Sequence, residues 1–161
     1  MENTIKKMET DEEIRGKAYV HWRSWHDAYA GLVCAAYLET LTLEKCEEIA
    51  YQWPDNILVA KDGDRVIGFV AAAPNRDKSM PDTGEIIALY VLKEYYGTDV
   101  GKALIQAAID QFCPFPTIAL WVLKDNGRAV RFYEKCGFAA TGEEQYEKAV
   151  DAAEIRMVLN K

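Results

Sequence analysis

Histidine and cysteine are scarce: two and four among 161 residues. Cys34, Cys46, Cys113 and Cys136 are scattered through apolar or helical surroundings, with no CxxC pair and no Cys/His spacing that suits a metal ion. No metal centre is expected, and free packed thiols are the default reading of all four. Long apolar runs are also missing, so nothing reads as a membrane span. The opening MENTIKKMETDEE lacks the apolar core of a signal peptide. These absences lead to the expectation of a soluble, cytoplasmic protein. Positive charge is in short supply, with 19 Lys and Arg against 26 Asp and Glu, a formal net charge of −7. That balance argues against nucleic acid or an anionic membrane as the main partner and is compatible with a cationic one such as an amine. Repeats, linkers and low-complexity tracts are absent too. At 161 residues, half of them hydrophobic, the chain is expected to be a single domain over 1–161.

The most informative stretch is 84–138. GEIIALYVL is apolar and rich in β-branched and aromatic residues, a strand signal. EYYGTDVGKALIQAAIDQF follows as a turn running into a helix, then TIALWVL as a second buried strand, then DNGRAVRFYEKCGF as a short helix stopped by Gly137. In the first helix Val100, Ala103, Leu104, Ala107, Ala108 and Phe112 fall at helical intervals, with Lys102, Gln106 and Asp110 opposite, and Pro114 and Pro116 end it. A turn that feeds a helix from a strand end leaves backbone N–H groups unpaired at the positive end of the helix dipole, which makes an anion site. Gly97 and Gly101 permit a tight curl and a close backbone approach, and Thr98 adds a hydroxyl. The same features also describe an ordinary helix start with no ligand.

Elsewhere, residues 3–8 read as a first strand and Asp11 to about Gly31 as a helix carrying Ile14, Ala18, His21, Trp22, Trp25, Ala28 and Tyr29 on one broad face. A second helix is expected from near Thr42 to before Pro54. Asn56–Ala60 and Arg65–Pro74 form a hairpin across an Asp-Gly turn, and 138–147 and 153–159 are the closing strands. Hairpins around a central β-α-β crossover indicate an α/β sheet with helices on both faces.

In DNGRAVRFYEKCGF, Asn126 stands at a helix N-cap, Tyr133 two turns on, and Gly137 at the C′ position. With Asn126, Ala129, Phe132, Tyr133, Gly137 and Phe138 in register, this tail resembles the closing signature of the GNAT superfamily of acyl-coenzyme A-dependent N-acetyltransferases. LYVLKEYYGTDVGKAL resembles that family's pyrophosphate loop, Q/R-x-x-G-x-G/A. The resemblance extends over most of the chain, including SWHDAYAGL and RVIGFV. It implies a mixed, mostly antiparallel sheet of about six to seven strands, splayed between the fourth (84–92) and fifth (117–123), with the pantetheine arm in the gap. It implies acetyl-CoA as cosubstrate, held by Tyr96, Gly97, Thr98, Asp99, Val100, Gly101 and Lys102, by backbone groups of Leu89, Tyr90 and Val91, and by Asn126 and Ala129. Two positions depart from the pattern: Tyr96 stands where Gln or Arg is usual, and Asp99 where Gly is usual. A carboxylate about 4 Å from a phosphate charge costs about 1 kcal/mol in bulk water and about 4 kcal/mol near a protein surface.

Acetyl transfer to an amine needs a proton for the departing thiolate and a group that takes one from the amine. The resemblance puts Tyr133 in the first role, the alternative being an aromatic residue packing a short helix. Glu85 occupies the base position of one branch of the family; it is also readable as a strand-end residue facing solvent. By alternation Glu85, Ile87, Leu89 and Val91 share a face unless a bulge intervenes. His21 and His26 are further base candidates. Trp22, Trp25 and Tyr29, with Tyr37, are either acceptor-pocket walls, since aromatic faces attract ammonium groups, or core. The expected activity is transfer of acetyl from acetyl-CoA to a primary amine, small molecule or peptide, by direct attack, in a monomer or homodimer. The alternative is a non-catalytic acyl-CoA-binding module.

Overall fold

The computed structural model describes residues 3–161. Strands β1 (Asn3–Lys7), β2 (Ile57–Asp62), β3 (Arg65–Pro74), β4 (Thr83–Val91), β5 (Thr117–Leu123), β6 (Ala139–Glu147) and β7 (Ala152–Asn160) form one sheet, ordered β1-β2-β3-β4-β5-β7-β6. Helices α1 (Asp11–Ala28), α2 (Ala35–Thr40), α3 (Leu43–Gln52), α4 (Val100–Phe112) and α5 (Gly127–Lys135) lie against it. Every neighbouring pair is antiparallel except β4 and β5, which run parallel.

Adjacent residues of β3 show how the two faces are covered. Leu104 of α4 lies 3.2 Å from where a Cβ on Gly68 would stand. On the other side the His21 ring of α1 lies 6.3 Å from Phe69, and the Lys17 ammonium 4.8 Å from the same ring. One helix therefore takes each face, as strand alternation requires. The amino end of α1 is fixed by chemistry that its sequence spells out. Thr10 Oγ1 accepts from the Glu13 N–H and the Glu13 carboxylate accepts from the Thr10 N–H, a capping box. Glu13 is buried and also binds the Lys6 and Lys61 ammonium groups, which ties the helix to β1 and β2.

Three expectations change. The first helix ends at Ala28 rather than Gly31, because Gly31 sits at φ +85° in the turn that follows. A six-residue helix, α2, comes next, held by the Cys34 N–H bonding the Val150 carbonyl at 2.9 Å. In α4 the buried set is Val100, Leu104, Ile105, Ala108 and Ile109, with Ala103 exposed. The two isoleucines bury more apolar surface than alanines would, and they turn the helix toward themselves.

The feature that creates a site is where β4 leaves β5. Their pairing covers only Thr83 with Thr117, Gly84 with Ile118 and Glu85 with Ala119. Beyond it β4 runs on to Val91 along β3, while β5 runs on to Leu123 along β7, and the two part.

Candidate active site

The parted strands open a cleft of about 760 Å³, floored by Ile87–Val91 and Trp121–Leu123 and walled by α1, α2, the start of α4, α5 and the β6–β7 hairpin. The open edge of β4 presents backbone N–H and C=O groups with no neighbouring strand, the arrangement that accepts an added amide-bearing chain.

At the start of α4 the turn is built as an anion cradle. Gly97 takes φ +77°, the left-handed region, with no atom within 4 Å of a would-be Cβ; the glycine is needed for conformation. Gly101 leaves room for α5, since a Cβ there would meet the Phe132 ring at 3.1 Å and the ring would have to give way. Among the described residues the N–H groups of Gly97, Asp99, Gly101 and Lys102 have no protein acceptor. The Thr98 hydroxyl donates to the Tyr95 carbonyl at 2.6 Å. Asp99 has φ −80° and ψ 0° and makes no side-chain cap; it lies exposed at the cleft. Lys102, Arg128 and Lys135 add positive charge, and the Arg128 guanidinium lies over the Tyr96 ring at 3.8 Å. Tyr96 brings no amide or guanidinium arm to the turn but seats a cation beside it. Val100 points into the core instead of the cleft.

On α5, Asn126 accepts from the Ala129 N–H at 3.2 Å, so both residues line the cleft but that amide is already used by the cap. Tyr133 lines the same wall, with ring contacts to Phe132 and Phe138. Burial raises its phenol pKa well above the ordinary value, and the neighbouring Tyr29 and Cys136 act in the same direction. Its hydroxyl stays protonated at neutral pH. Cys136, also at the cleft, has its thiol pKa raised by burial.

The helix α1 divides its aromatic residues. Trp25 and Tyr29 line the cleft with Tyr37 of α2 and Tyr90 of β4, and the Tyr29 hydroxyl donates to that of Tyr90 at 3.3 Å. Trp22 does not join them: it packs on the cluster of Ala18, Leu41, Cys46 and Ala50 between α1 and α3. Neither histidine reaches the cleft lining. His21 stacks near Tyr90, and burial together with nearby Lys17 lowers its pKa to about 4. His26 bonds the Leu41 carbonyl through Nε2 at 2.9 Å, which assigns that nitrogen the proton.

Glu85 is buried, not solvent-facing, and both its oxygens are engaged by Arg76: Nε to Oε1 at 3.1 Å and Nη2 to Oε2 at 2.7 Å. The alternation that would join Glu85 to Val91 breaks. The β3–β4 register slips between Ala71 and Ala72, leaving Ile87 as the extra residue, 42% exposed. Gly84 therefore faces Cys113 and Val91 faces Leu104 and Gly101, both on the α4 side, while Glu85 and Tyr90 share the α1 side.

Residues 9–138 match the acetyltransferase (GNAT) family. The chain belongs to the GNAT acetyltransferase family. It is 27% identical over 145 residues to the uncharacterized N-acetyltransferase YuaI of Bacillus subtilis, covering 86% of this chain and 82% of that one. It is 36% identical over 90 residues to N-alpha-acetyltransferase 30 of Schizosaccharomyces pombe, covering 55% and 60%. Among solved structures, the PaiA N-acetyltransferase of Thermoplasma acidophilum in complex with coenzyme A has a TM-score of 0.74 over 100% of both chains at 22% identity, a likeness of fold.

For this GNAT enzyme, sequence reasoning missed Arg76, Arg128, Trp121, Ser24, Glu147 and Glu154 at the cleft. Arg128 lay inside the tail motif and was findable as a cation two residues after Asn126. The others sit in a loop, on an edge strand or at single positions with no periodic signal.

Proposed function

We propose that this GNAT enzyme transfers an acetyl group from acetyl-CoA to a primary amine, with Tyr133 as the proton donor. The observation that carries the reading is the parting of β4 from β5 beyond Glu85, with an N–H-rich turn on one wall of the gap and a protonated phenol on another. The residues fit the cosubstrate: free amides at Gly97, Asp99, Gly101 and Lys102, with Lys102 and Arg128, suit a diphosphate, and the open β4 edge suits an amide-bearing arm. When bound, acetyl-CoA supplies an acyl carbon activated by a thiolate leaving group. Of the adjacent backbone N–H groups at Leu89 and Tyr90, the one that strand alternation turns away from β3 into the gap receives the negative charge that develops on the carbonyl oxygen. Tyr133 Oη gives its proton to the departing sulfur. Glu85, its oxygens held by Arg76, takes the amine proton through a water on the α1 side of the cleft. Cys136 is kept as a thiol by burial, which supports direct attack by the amine over an acyl-cysteine route.

The test is thiol release from acetyl-CoA with a panel of amines. Tyr133→Phe should lower kcat by about 10²–10⁴-fold, the usual worth of a positioned proton donor, with coenzyme A affinity by calorimetry unchanged. Coenzyme A binding without acceptor-dependent thiol release from the unaltered protein would refute the catalytic reading.

A further inference from the structure

The wall of the cleft made by α1, α2 and the β6–β7 hairpin carries groups that acetyl transfer does not use. Glu147 and Glu154 line it, and among the described residues neither forms an ion pair. Glu154 accepts from the Gln145 amide at 2.8 Å, and Glu147 accepts from the Ala149 N–H at 3.3 Å. Arg76, whose charge Glu154 also feels, is already committed to Glu85. The two carboxylates stand by the aromatic wall: Glu147 is close enough to act on the Tyr37 phenol and Glu154 on that of Tyr29, each adding to the rise that burial causes.

A second observation is independent of the acids. Ser24, 3% exposed and lining the same cleft, has a buried Oγ with no hydrogen-bond partner. A buried hydroxyl without a partner is unfavourable, and a ligand N–H would satisfy it. Aromatic faces of Trp25, Tyr29 and Tyr37, two unpaired carboxylates and an orphan hydroxyl together form a receptor for an ammonium group.

That ammonium cannot be the nitrogen that reacts. A nucleophilic amine must be neutral, whereas carboxylates and aromatic faces stabilise the charged form and would hold the reacting nitrogen protonated. We infer that the acceptor is a diamine or polyamine: one nitrogen stays protonated between Glu147, Glu154 and the aromatic wall while a second, neutral nitrogen takes the acetyl group. This rests on the acetyl-transfer reading and adds the class of acceptor to it. The step balances simply. The N–C bond forms as the C–S bond breaks, the sulfur leaves with one proton, and the amide nitrogen has lost one.

Putrescine and n-butylamine, which differ only in the second amino group, separate the possibilities. In the presence of coenzyme A, calorimetry should show putrescine binding at least about tenfold more tightly than butylamine, about 1.4 kcal/mol, and kcat/KM should follow the same order. The double variant Glu147→Gln/Glu154→Gln, whose folding is checked by its thermal transition, should bring the putrescine-to-butylamine ratio toward one. A ratio near one in the unaltered protein, a ratio the double variant leaves unchanged, or a preference for a peptide amino terminus over both amines would overturn the inference. Selective putrescine binding with no acetylation of any amine would instead refute the transferase reading and leave the ammonium site standing.

Discussion

Asp99 is the one group at the anion cradle whose charge opposes its expected ligand, so Asp99→Asn makes a clean probe. The backbone there is ordinary, φ −80° and ψ 0°, and the carboxylate caps nothing, so the amide fits without strain and only the charge is removed. Unit charges about 4 Å apart repel by about 1 kcal/mol in water and about 4 kcal/mol at an effective dielectric near a surface. Asp99 is exposed and the cations Lys102 and Arg128 share its cleft, so the lower figure applies. Coenzyme A should bind about fivefold more tightly to the variant at low salt, and the advantage should fade toward 1 M salt, where the Debye length falls to about 3 Å. Stability should move the other way. A carboxylate at a helix start gains about 0.3–1 kcal/mol from the dipole, and the variant forgoes it. Calorimetric titration at two salt concentrations, with a thermal melt of the free protein, reads both signs. Equal or weaker binding at low salt would show that the Asp99 charge is turned away from the phosphates, and the cradle reading would fail with it.

Two further outcomes follow from the walls of the cleft. Trp25→Ala should raise the KM for the amine by about tenfold or more while the KM for acetyl-CoA changes little; since Trp25 also packs on neighbouring core residues, Trp25→Phe is the folded control, and equal effects on both substrates would remove Trp25 from the acceptor site. The second outcome concerns stability and pH. His21 has its pKa lowered to about 4 by burial and by Lys17, against about 6.5 when unfolded. The unfolded chain takes the proton first as pH falls, so the native state loses stability from pH ~6.5 downward, by up to about 3 kcal/mol at pH ~4. Glu13 reinforces this only at lower pH. Although burial alone would raise its pKa, the Lys6 ammonium and backbone N–H groups lower it overall, so its contribution is present above the unfolded carboxyl value and lost below. Urea unfolding between pH 7 and pH 5 should therefore show a slope that His21→Gln abolishes; an unchanged slope would refute the assignment.

Local signals carried far in this chain. The tail from Asn126 to Phe138 was readable because each part is a short-range interaction: Asn126 caps its own helix at Ala129, and Gly137 takes φ +101° just past the helix end. The strands 65–74 and 117–123 were readable as apolar runs and appear with those bounds. What stayed hidden depends on registers between segments. The Ile87 bulge is a property of β3 and β4 together, and it alone decides that Glu85 faces α1 and not α4. Trp22 and Trp25 share a face of α1 by spacing, yet α3 covers one while the cleft opens beside the other.

The departures from the family pattern show the same division between local and distant causes. At position 96 an aromatic ring replaces the usual polar side chain, and by itself it looks like a loss at an anion site. The structure places the Arg128 guanidinium 3.8 Å above that ring, reaching from α5 across to the turn before α4. Stacking fixes the cation where a flexible Arg at 96 would have to be ordered, and an Arg face on an aromatic ring leaves its N–H edges free for an anion. Gly101 belongs to the same helix pair, because a Cβ there would press on the Phe132 ring of α5 at 3.1 Å. The Arg128 share of the cradle's positive charge is thus a property of how α4 and α5 pack, and a reading of the loop alone contains only Lys102.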